Sequence, residues 1–444
     1  MTRAAPLDGL AILEISSFVA APLGGMTLAQ LGAEVIRIDP IGGAADQTRW
    51  PLAASGTSLY WTGLNKSKKS VTLDFRDPRA QLIVADLVAA SGPGGGIVLT
   101  NAAGRPWLGY ERLSGVRPDV IHLQILGRHD GSAAVDYTVN AGIGFPLITG
   151  PEEFHGPVNH VLPAWDIACG LYAAVGLLSA ERHRRRTGEG SEITLALEDV
   201  ALALAGHLGF LAEAQFGGER PRIGNDLFGG FARDFATAGG ERVMVATVSA
   251  RHFADLAGAT GLAGPFGELE RLLGADFAED GDRYAHREVI AALLAPWFAA
   301  RTVAEIGQVL DRTSVLWSRY RRLVDLVADG VLAGNPLFAE IDQPGVGPLF
   351  APASPLAQEG RAGPAPAPPL GADTAAVLTG LLGLSAQEAA DLADQGVAGG
   401  TGKATGATGK ATGATGKAAG GTGKAAGGTG KAAGGTGKAG GDRG

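Results

Sequence analysis

Apolar and polar positions along this chain repeat with two periods, and the places where the period changes divide it into elements. Residues 9–15 read as a strand, 16–22 as a turn, and 23–31 as a helix ended by Gly32-Ala33. Residues 34–38 form the next strand, closed by Asp39-Pro40. Strand, helix and strand at this spacing make a βαβ unit, which implies a parallel sheet with helices on its faces. Further strands are expected at 70–75, 97–100 and 120–125. The longest helical stretch starts after Pro163, where Ile167, Leu171, Val175 and Leu178 recur at helical spacing. It ends in the basic run 182–186 and the stop Thr187-Gly188-Glu189-Gly190. Beyond it Ile193, Leu195 and Leu197 alternate with Glu192, Thr194 and Ala196, the pattern of a strand. Residues 200–214 are again helical and enclose His207, expected as a core histidine.

The second half of the chain is organised differently. Residues 222–235, RIGNDLFGGFARDF, are glycine-rich and read as a linker. A strand at 241–247 and helices to about 327 make a smaller α+β domain, after which Asn335-Pro336 and Gln343-Pro344-Gly345 begin a return segment. The expected fold is therefore α/β, with a Rossmann-like parallel-sheet large domain and a smaller α+β domain. Its boundaries fall at 1–220 for the N-terminal part of the large domain, 221–330 for the small one and 331–398 for the return segment. Residues 399–444 stand apart as a repeat of TGKATGA and then TGKAAGG, with lysines seven apart from Lys403 to Lys438. A seven-residue period suggests a coiled coil, but no position carries a large apolar side chain, so the segment is expected to be disordered.

Charge and composition narrow the function. The whole chain carries −8; six lysines and Arg443 against Asp442 give the tail +6, which leaves −14 on the rest. An acidic body argues against a nucleic-acid enzyme, although a basic glycine-rich tail could touch nucleic acid weakly. With 45% apolar residues the 444-residue chain can bury a large core. The single cysteine, Cys169, excludes an intrachain disulfide and a cysteine-based zinc site. Asp8 and Glu14 interrupt any exported apolar segment, and the longest apolar run, 167–180, is too short to span a bilayer. A soluble cytoplasmic protein without membrane partners is expected.

One carboxylate is placed for chemistry. Asp166 falls three residues after Pro163, in the first turn of the long helix, where unpaired N–H groups and the helix dipole favour an ionised acid. Asp166 as a helix cap is the plainer reading, and capping and catalysis are compatible. Cys169 lies on the same face without a neighbouring histidine and is expected to be inert packing. The turn Phe18-Val19-Ala20-Ala21-Pro22 has small side chains, so a ligand can approach the backbone of Val19 and Ala20. Glu152, Glu153 and His155 lack metal-ligand spacing. Gly92 to Gly96 follow a helix and precede a strand, the reverse of a dinucleotide fingerprint.

Asp166, the long apolar helix, the R-x-x-x-x-TGxG run from Arg182, the alternating strand and Asp199 together resemble the family III (CaiB/BaiF-type) CoA-transferases, over about residues 7–397. The resemblance implies that Asp166 is a nucleophile. It implies that the segment 68–74, which fits K-[KR]-S-[IV]-x-L-D, lies along bound CoA, with Leu73, Asp74, Phe75 and Arg76 facing the nucleotide or pantetheine. By the same resemblance Asn101, Ala102, Ala103 and Arg105 bind the adenine nucleotide, Ala102 standing where the family has Phe. Asp136 and Tyr137 fall at an active-site position. In the racemase branch a histidine precedes that Asp, and here Val135 stands in its place, which argues against a racemase. The closing stretch LGADTAAVLTGLLGLS resembles the family's last helix, which implies a chain returning to its first domain and an interlocked homodimer of ring-shaped subunits. The stretches FVAAPLGGMTLAQLGAEVIRIDPIGG, VNHVLPAWDIACG, GLLSAERHRRRTGEG and GHLGFLAEA resemble the branch that moves CoA between the two carboxylates of one C5 dicarboxylate. The implied chemistry is intramolecular CoA transfer through an aspartyl anhydride and an aspartyl-CoA thioester. Coenzyme A enters as part of the acyl-CoA substrate, and no tightly bound cofactor is implied. The alternatives are intermolecular transfer to another acid, α-methylacyl-CoA racemisation and, from another class, a basic-tailed nucleic-acid-associated protein.

Overall fold

The computed structural model describes residues 5–356 and 362–399. From residue 400 onward the expected disordered repeat lies outside the described residues. Six parallel strands form the main sheet: β1 (Ala11–Ile15), β2 (Glu34–Pro40), β3 (Lys69–Leu73), β4 (Ile97–Thr100), β5 (Ile121–Leu126) and β6 (Ser191–Ala196). Their order is β3-β2-β1-β4-β5-β6. The helices of this part are α1 (Ala20–Ala29), α2 (Leu59–Leu64), α3 (Pro78–Ala90), α4 (Tyr110–Val116), α5 (Asp136–Gly142), α6 (Phe145–Ile148), α7 (Ala164–Thr187), α8 (Leu197–His207) and α9 (Phe210–Gln215).

Successive residues of the central strands enter different cores, as a sheet covered on both faces requires. Ile12, Val35, Ile97 and Leu99 pack with Leu28 of α1 and Cys169, Ala173 and Leu177 of α7. Leu13, Ile36, Ile38 and Val98 pack on the other side with Val84 and Leu87 of α3, Leu113 of α4 and Val377 and Leu378 of the return segment. The strand order reverses between β1 and β4. At such a reversal the connecting loops diverge and leave a crevice at the carboxyl ends of the strands.

Helix α1 starts at Ala20 and not at residue 23, so Pro22 lies inside its first turn. No intrahelical bond is lost, because the first-turn N–H groups have no acceptor in any helix. Contact between α1 and α7 is backbone to backbone. A Cβ on Gly24 would stand 2.8 Å from the Gly170 carbonyl oxygen, and one on Gly170 would stand 2.5 Å from that of Ala20. The buried face of α7 is consequently Cys169, Gly170, Ala173, Ala174, Leu177 and Ala180. Leu171 and Val175, two of the apolar positions at helical spacing, are exposed together with Tyr172.

Two further expectations are corrected downstream of β6. The helix at 200–214 is two helices, because Gly209 takes a left-handed φ of 84° between α8 and α9. His207 ends α8 exposed and is no core residue. The end of the expected linker is a strand: β7 (Phe231–Ala236) pairs antiparallel with β8 (Arg242–Thr247), which pairs with β9 (Leu316–Arg319). Phe231 and Phe235 carry it into a separate apolar cluster with Phe253, Phe277 and Phe298. After the hairpin β10 (Phe338–Gln343) and β11 (Gly347–Pro352), the chain reaches the open edge of β3. Ser70 N–H donates to Asp373 Oδ2 at 2.8 Å, Thr72 N–H to Thr374 Oγ1 at 3.1 Å and Asp74 N–H to the Val397 carbonyl at 2.9 Å. These bonds cover donors that an edge strand would otherwise expose. Among the described residues no single helix is long and apolar enough to cross a membrane.

The α1–α7 contact gives a direct expectation. Gly170→Ala drives a methyl into backbone that has no rotamer to yield, so it should cost about 1–3 kcal/mol in urea unfolding. Gly115→Ala on α4, where an added Cβ meets nothing within 4 Å, should be neutral or slightly stabilising by comparison.

Candidate active site

The crevice at the β1/β4 reversal is built first from buried charge. Arg37 of β2 lies beneath the β1–α1 loop and binds Asp39 through both carboxylate oxygens, at 2.9 and 3.0 Å. It also reaches the Ser16 carbonyl at 3.1 Å, Asn65 at 3.0 Å and Asp46 at 3.3 Å. Lys68 Nζ donates to Glu14 Oε1 and Asn65 Oδ1, both at 2.8 Å. All of these side chains are buried. Burial works against the charge of Arg37, but Asp39 and then Glu14 and Asp46 hold its pKa above the usual guanidinium value. Burial lowers Lys68 to about 8, with Glu14 opposing. Removing one partner of such a set strands a buried charge at a cost of about 3–5 kcal/mol, so the set fixes whatever it holds. The basic run at 66–69 is therefore largely internal. Lys66 is also buried, bonded to the Gly63 carbonyl at 2.8 Å, and only Lys69 is exposed, paired with Glu34.

What this set holds is the β1–α1 loop. Phe18 N–H donates to Asp46 Oδ2 at 2.9 Å, and Phe18 takes a φ of 66°, rare for a residue with a large side chain. Ser17 is clamped by Asn101, which accepts from its N–H at 3.0 Å and donates to its carbonyl at 2.8 Å. Ser17 follows β1 and Asn101 follows β4, so the clamp sits at the reversal of strand order. Beyond it Val19 and Ala20 open α1. Their N–H groups make no hydrogen bond to another described residue.

Asp166 faces this loop across a cavity of about 480 Å³, lined among others by Ser17, Phe18, Val19, Ala20, Arg49, Tyr60, Asn101, Val135, Asp136, Tyr137 and Val161. The capping role that sequence alone offered to Asp166 belongs to Asp136. Asp136 Oδ2 accepts from Trp165 N–H at 2.8 Å and from Asp166 N–H at 3.2 Å, while Oδ1 meets His160 Nε2 at 2.8 Å. Trp165 is fixed further by its indole N–H, which donates to Asn140 Oδ1 at 3.0 Å. The first-turn donors expected to hold Asp166 ionised are thus already engaged. Burial, and then the negative charge of Asp136, raise the Asp166 pKa to about 6, with Arg49 pulling it down. No hydrogen bond among the described residues ends on the Asp166 carboxylate. The result is an unpaired carboxylate on a rigid helix end, mostly ionised at neutral pH and open to the cavity. Cys169, one turn on, is fully buried, and burial followed by the charge of Asp166 pushes its thiol up to about 12. It stays a protonated packing residue.

A second cavity of about 350 Å³ adjoins the first through the shared residues Ser17 and Asn101. Phe75, Ala102, Ala103 and Arg105 line it. The Arg105 guanidinium lies 5.1 Å from the Phe75 ring and 5.9 Å from that of Trp107. Of the residues expected to bind nucleotide, the structure therefore brings Phe75, Asn101, Ala102, Ala103 and Arg105 together. Leu73 differs: its side chain is fully buried in the core and does not reach the cavity. Asp74 and Arg76 lie on neither cavity; they pair with each other, and this pairing lowers the Asp74 pKa. Arg49 and Tyr60 line the first cavity, while His160 contacts Asp136 and Trp107 contacts Arg105. All four lie in loops or short helices without periodic signal, and only the tertiary contacts bring them there.

Known proteins resemble this chain along most of its length. The sequence pattern of CoA-transferase family III matches residues 7–374. The chain is 48% identical over 404 residues to a 2-methylfumaryl-CoA isomerase of Chloroflexus aurantiacus, covering 90% of this chain and 99% of that one. It is 28% identical to a succinyl-CoA–D-citramalate CoA-transferase of the same organism, over 78% of this chain and 85% of the other. Among solved structures, a CaiB/BaiF family protein from Brucella suis superposes with a TM-score of 0.69 at 25% identity, covering 85% of this chain and all of that one.

The Asp136 cap is testable without an assay of activity. Asp136→Ala leaves two helix N–H groups and His160 without their acceptor, and should lower unfolding free energy by about 1–3 kcal/mol in a urea titration. Asp136→Asn keeps one acceptor oxygen and should lose less.

Proposed function

The chain belongs to CoA-transferase family III, and from that premise we propose that it converts 2-methylfumaryl-CoA to 3-methylfumaryl-CoA, moving CoA between the two carboxylates of one C5 diacid. The observation that carries this reading is the likeness, along nearly the entire length of both chains, to the Chloroflexus isomerase. The cavity supports it, being small, partly apolar and provided with one unpaired carboxylate.

In this reading Asp166 is the nucleophile. Its carboxylate attacks the thioester carbonyl, the C–S bond breaks, and CoA leaves as a thiolate, forming an acyl–Asp166 anhydride. The thiolate attacks the Asp166 carbonyl of that anhydride, which gives an aspartyl-CoA thioester and frees the C1 carboxylate. After the diacid turns, its C4 carboxylate attacks the aspartyl thioester and expels the thiolate again. The thiolate then attacks the C4 acyl carbon, releases Asp166 as carboxylate and yields the second thioester. Each tetrahedral stage places negative charge on an oxygen that needs donors. The unpaired N–H groups of Val19 and Ala20 at the start of α1 are assigned that role. Water would hydrolyse any of the intermediates, and the side chains of Phe18, Val135, Tyr137 and Val161 give the cavity lining an apolar part. Coenzyme A is assigned to the path from Asp166 past the Ser17–Asn101 clamp to Phe75 and Arg105. The homodimer belongs to the same proposal: Leu171, Tyr172 and Val175 on α7, with Leu208 and Phe216 flanking α9, are apolar and exposed in the single chain.

The test is to react 2-methylfumaryl-CoA in excess isotopically labelled free 2-methylfumarate and to follow product mass. Unlabelled 3-methylfumaryl-CoA supports intramolecular transfer. Product carrying label at its pool fraction would leave an intermolecular transferase instead. Asp166→Asn should lose at least about a hundredfold in kcat, since covalent catalysis is worth several kcal/mol of barrier. In the wild type only the ionised acid is nucleophilic. With Asp166 raised to about 6, kcat/KM should fall below that pH and level off above it.

A further inference from the structure

An enzyme that attacks one carboxyl end of a diacid must hold the other end. Among the residues lining the Asp166 cavity, Arg49 is the one basic side chain. Its backbone is fixed at both poles: its N–H donates to the Asp46 carbonyl at 3.1 Å, and its carbonyl accepts from Ser58 Oγ at 2.5 Å. Asp46 is itself buried against Arg37, so the root of Arg49 is tied to the internal charge cluster. The guanidinium lies over two rings, 4.6 Å from the centroid of Tyr60 and 5.4 Å from that of Phe18. It makes no hydrogen bond to any described residue, although it is close enough to Asp166 to lower that group's pKa. Most of the other arginines near this fold's core are paired in place, as Arg37 and Arg117 are. A guanidinium steadied by aromatic faces, with its N–H fork unpaired beside an unpaired reactive carboxylate, is set out to receive a ligand carboxylate.

We propose that Arg49 binds the free carboxylate of the acyl-CoA's diacid and thereby selects dicarboxylic over monocarboxylic acyl groups, a proposal that rests on the isomerase reading above. The same side chain takes the C4 carboxylate while C1 is at Asp166, and the C1 carboxylate while C4 is there. The diacid can thus turn without leaving, because one of its two charges always has a partner. A methyl group in place of the free carboxylate would forfeit the charge-assisted fork to the guanidinium, and that loss favours the dicarboxylic acyl group.

The experiment compares covalent loading of the enzyme from two thioesters, 2-methylfumaryl-CoA and (E)-2-methylbut-2-enoyl-CoA, which has a methyl group where the first has its free carboxylate. Hydroxylamine traps the acyl–Asp166 anhydride as a hydroxamate, and its rate of formation gives kcat/KM for each substrate. In wild-type protein the dicarboxylic thioester should be favoured about a hundredfold, and in Arg49→Met the ratio should fall to near one. Arg49→Lys, which keeps a point charge without the fork, should lie between. Removing Arg49 also makes Asp166 harder to ionise, but that loss falls on both substrates and cancels in the ratio. A ratio unchanged in Arg49→Met, with isomerisation intact, overturns the role of Arg49 and leaves the isomerase reading standing. Wild-type protein that forms hydroxamate from neither thioester and no 3-methylfumaryl-CoA overturns both.

Discussion

Helices α1 and α7 meet backbone to backbone, and the site depends on that contact. Gly24 and Gly170 admit no side chain between them, and Ala173 continues the same close face. An approach this tight sets one helix N-terminus beside the other. The uncapped start of α1, with Val19 and Ala20, thereby faces Asp166 across a single cavity. Neither helix end would make a site alone. One supplies donors without a nucleophile, and the other a nucleophile whose own helix donors are already taken.

Three carboxylates around this cavity are held in three different ways, and the differences define their roles. Asp46 is buried and paired with Arg37, and it fixes the strained Phe18. Asp136 is buried and spends both oxygens on His160 and the first turn of α7. Asp166 alone accepts no hydrogen bond from the described residues, and burial beside Asp136 raises its pKa to about 6. A carboxylate stabilised by donors would be a weaker nucleophile. One raised much further would be protonated at neutral pH. The arrangement keeps the reactive acid between these limits by leaving it unpaired near both a negative and a positive neighbour.

Several features of the fold were legible because they are local. Periods of two and 3.6 located β1 through β6 and α7, and βαβ succession implied a parallel sheet. The positions of Asp166 after Pro163, and of Asn101 after β4, followed from element boundaries. Readings that depended on a partner element failed. The stripe Leu171 and Val175 recurs at helical spacing, yet the glycine-tight contact buries the small residues and turns the large ones outward. Phe231 to Phe235 reads as linker because its glycine-rich prelude hides a strand that exists only through pairing with β8.

The sequence by itself determined the alternation of elements, the acidic balance of the chain and the candidate carboxylate at the head of its longest helix. Each of these is written in composition or in spacing along a few turns of chain. Only the tertiary structure decided that Asp136, thirty residues earlier, caps that helix, that Arg37 and Lys68 are internal, and that Arg49 and Tyr60 stand by Asp166. These are contacts between segments distant in sequence, fixed by strand order and by how closely two helices can pack. Spacing along the chain carries no record of either.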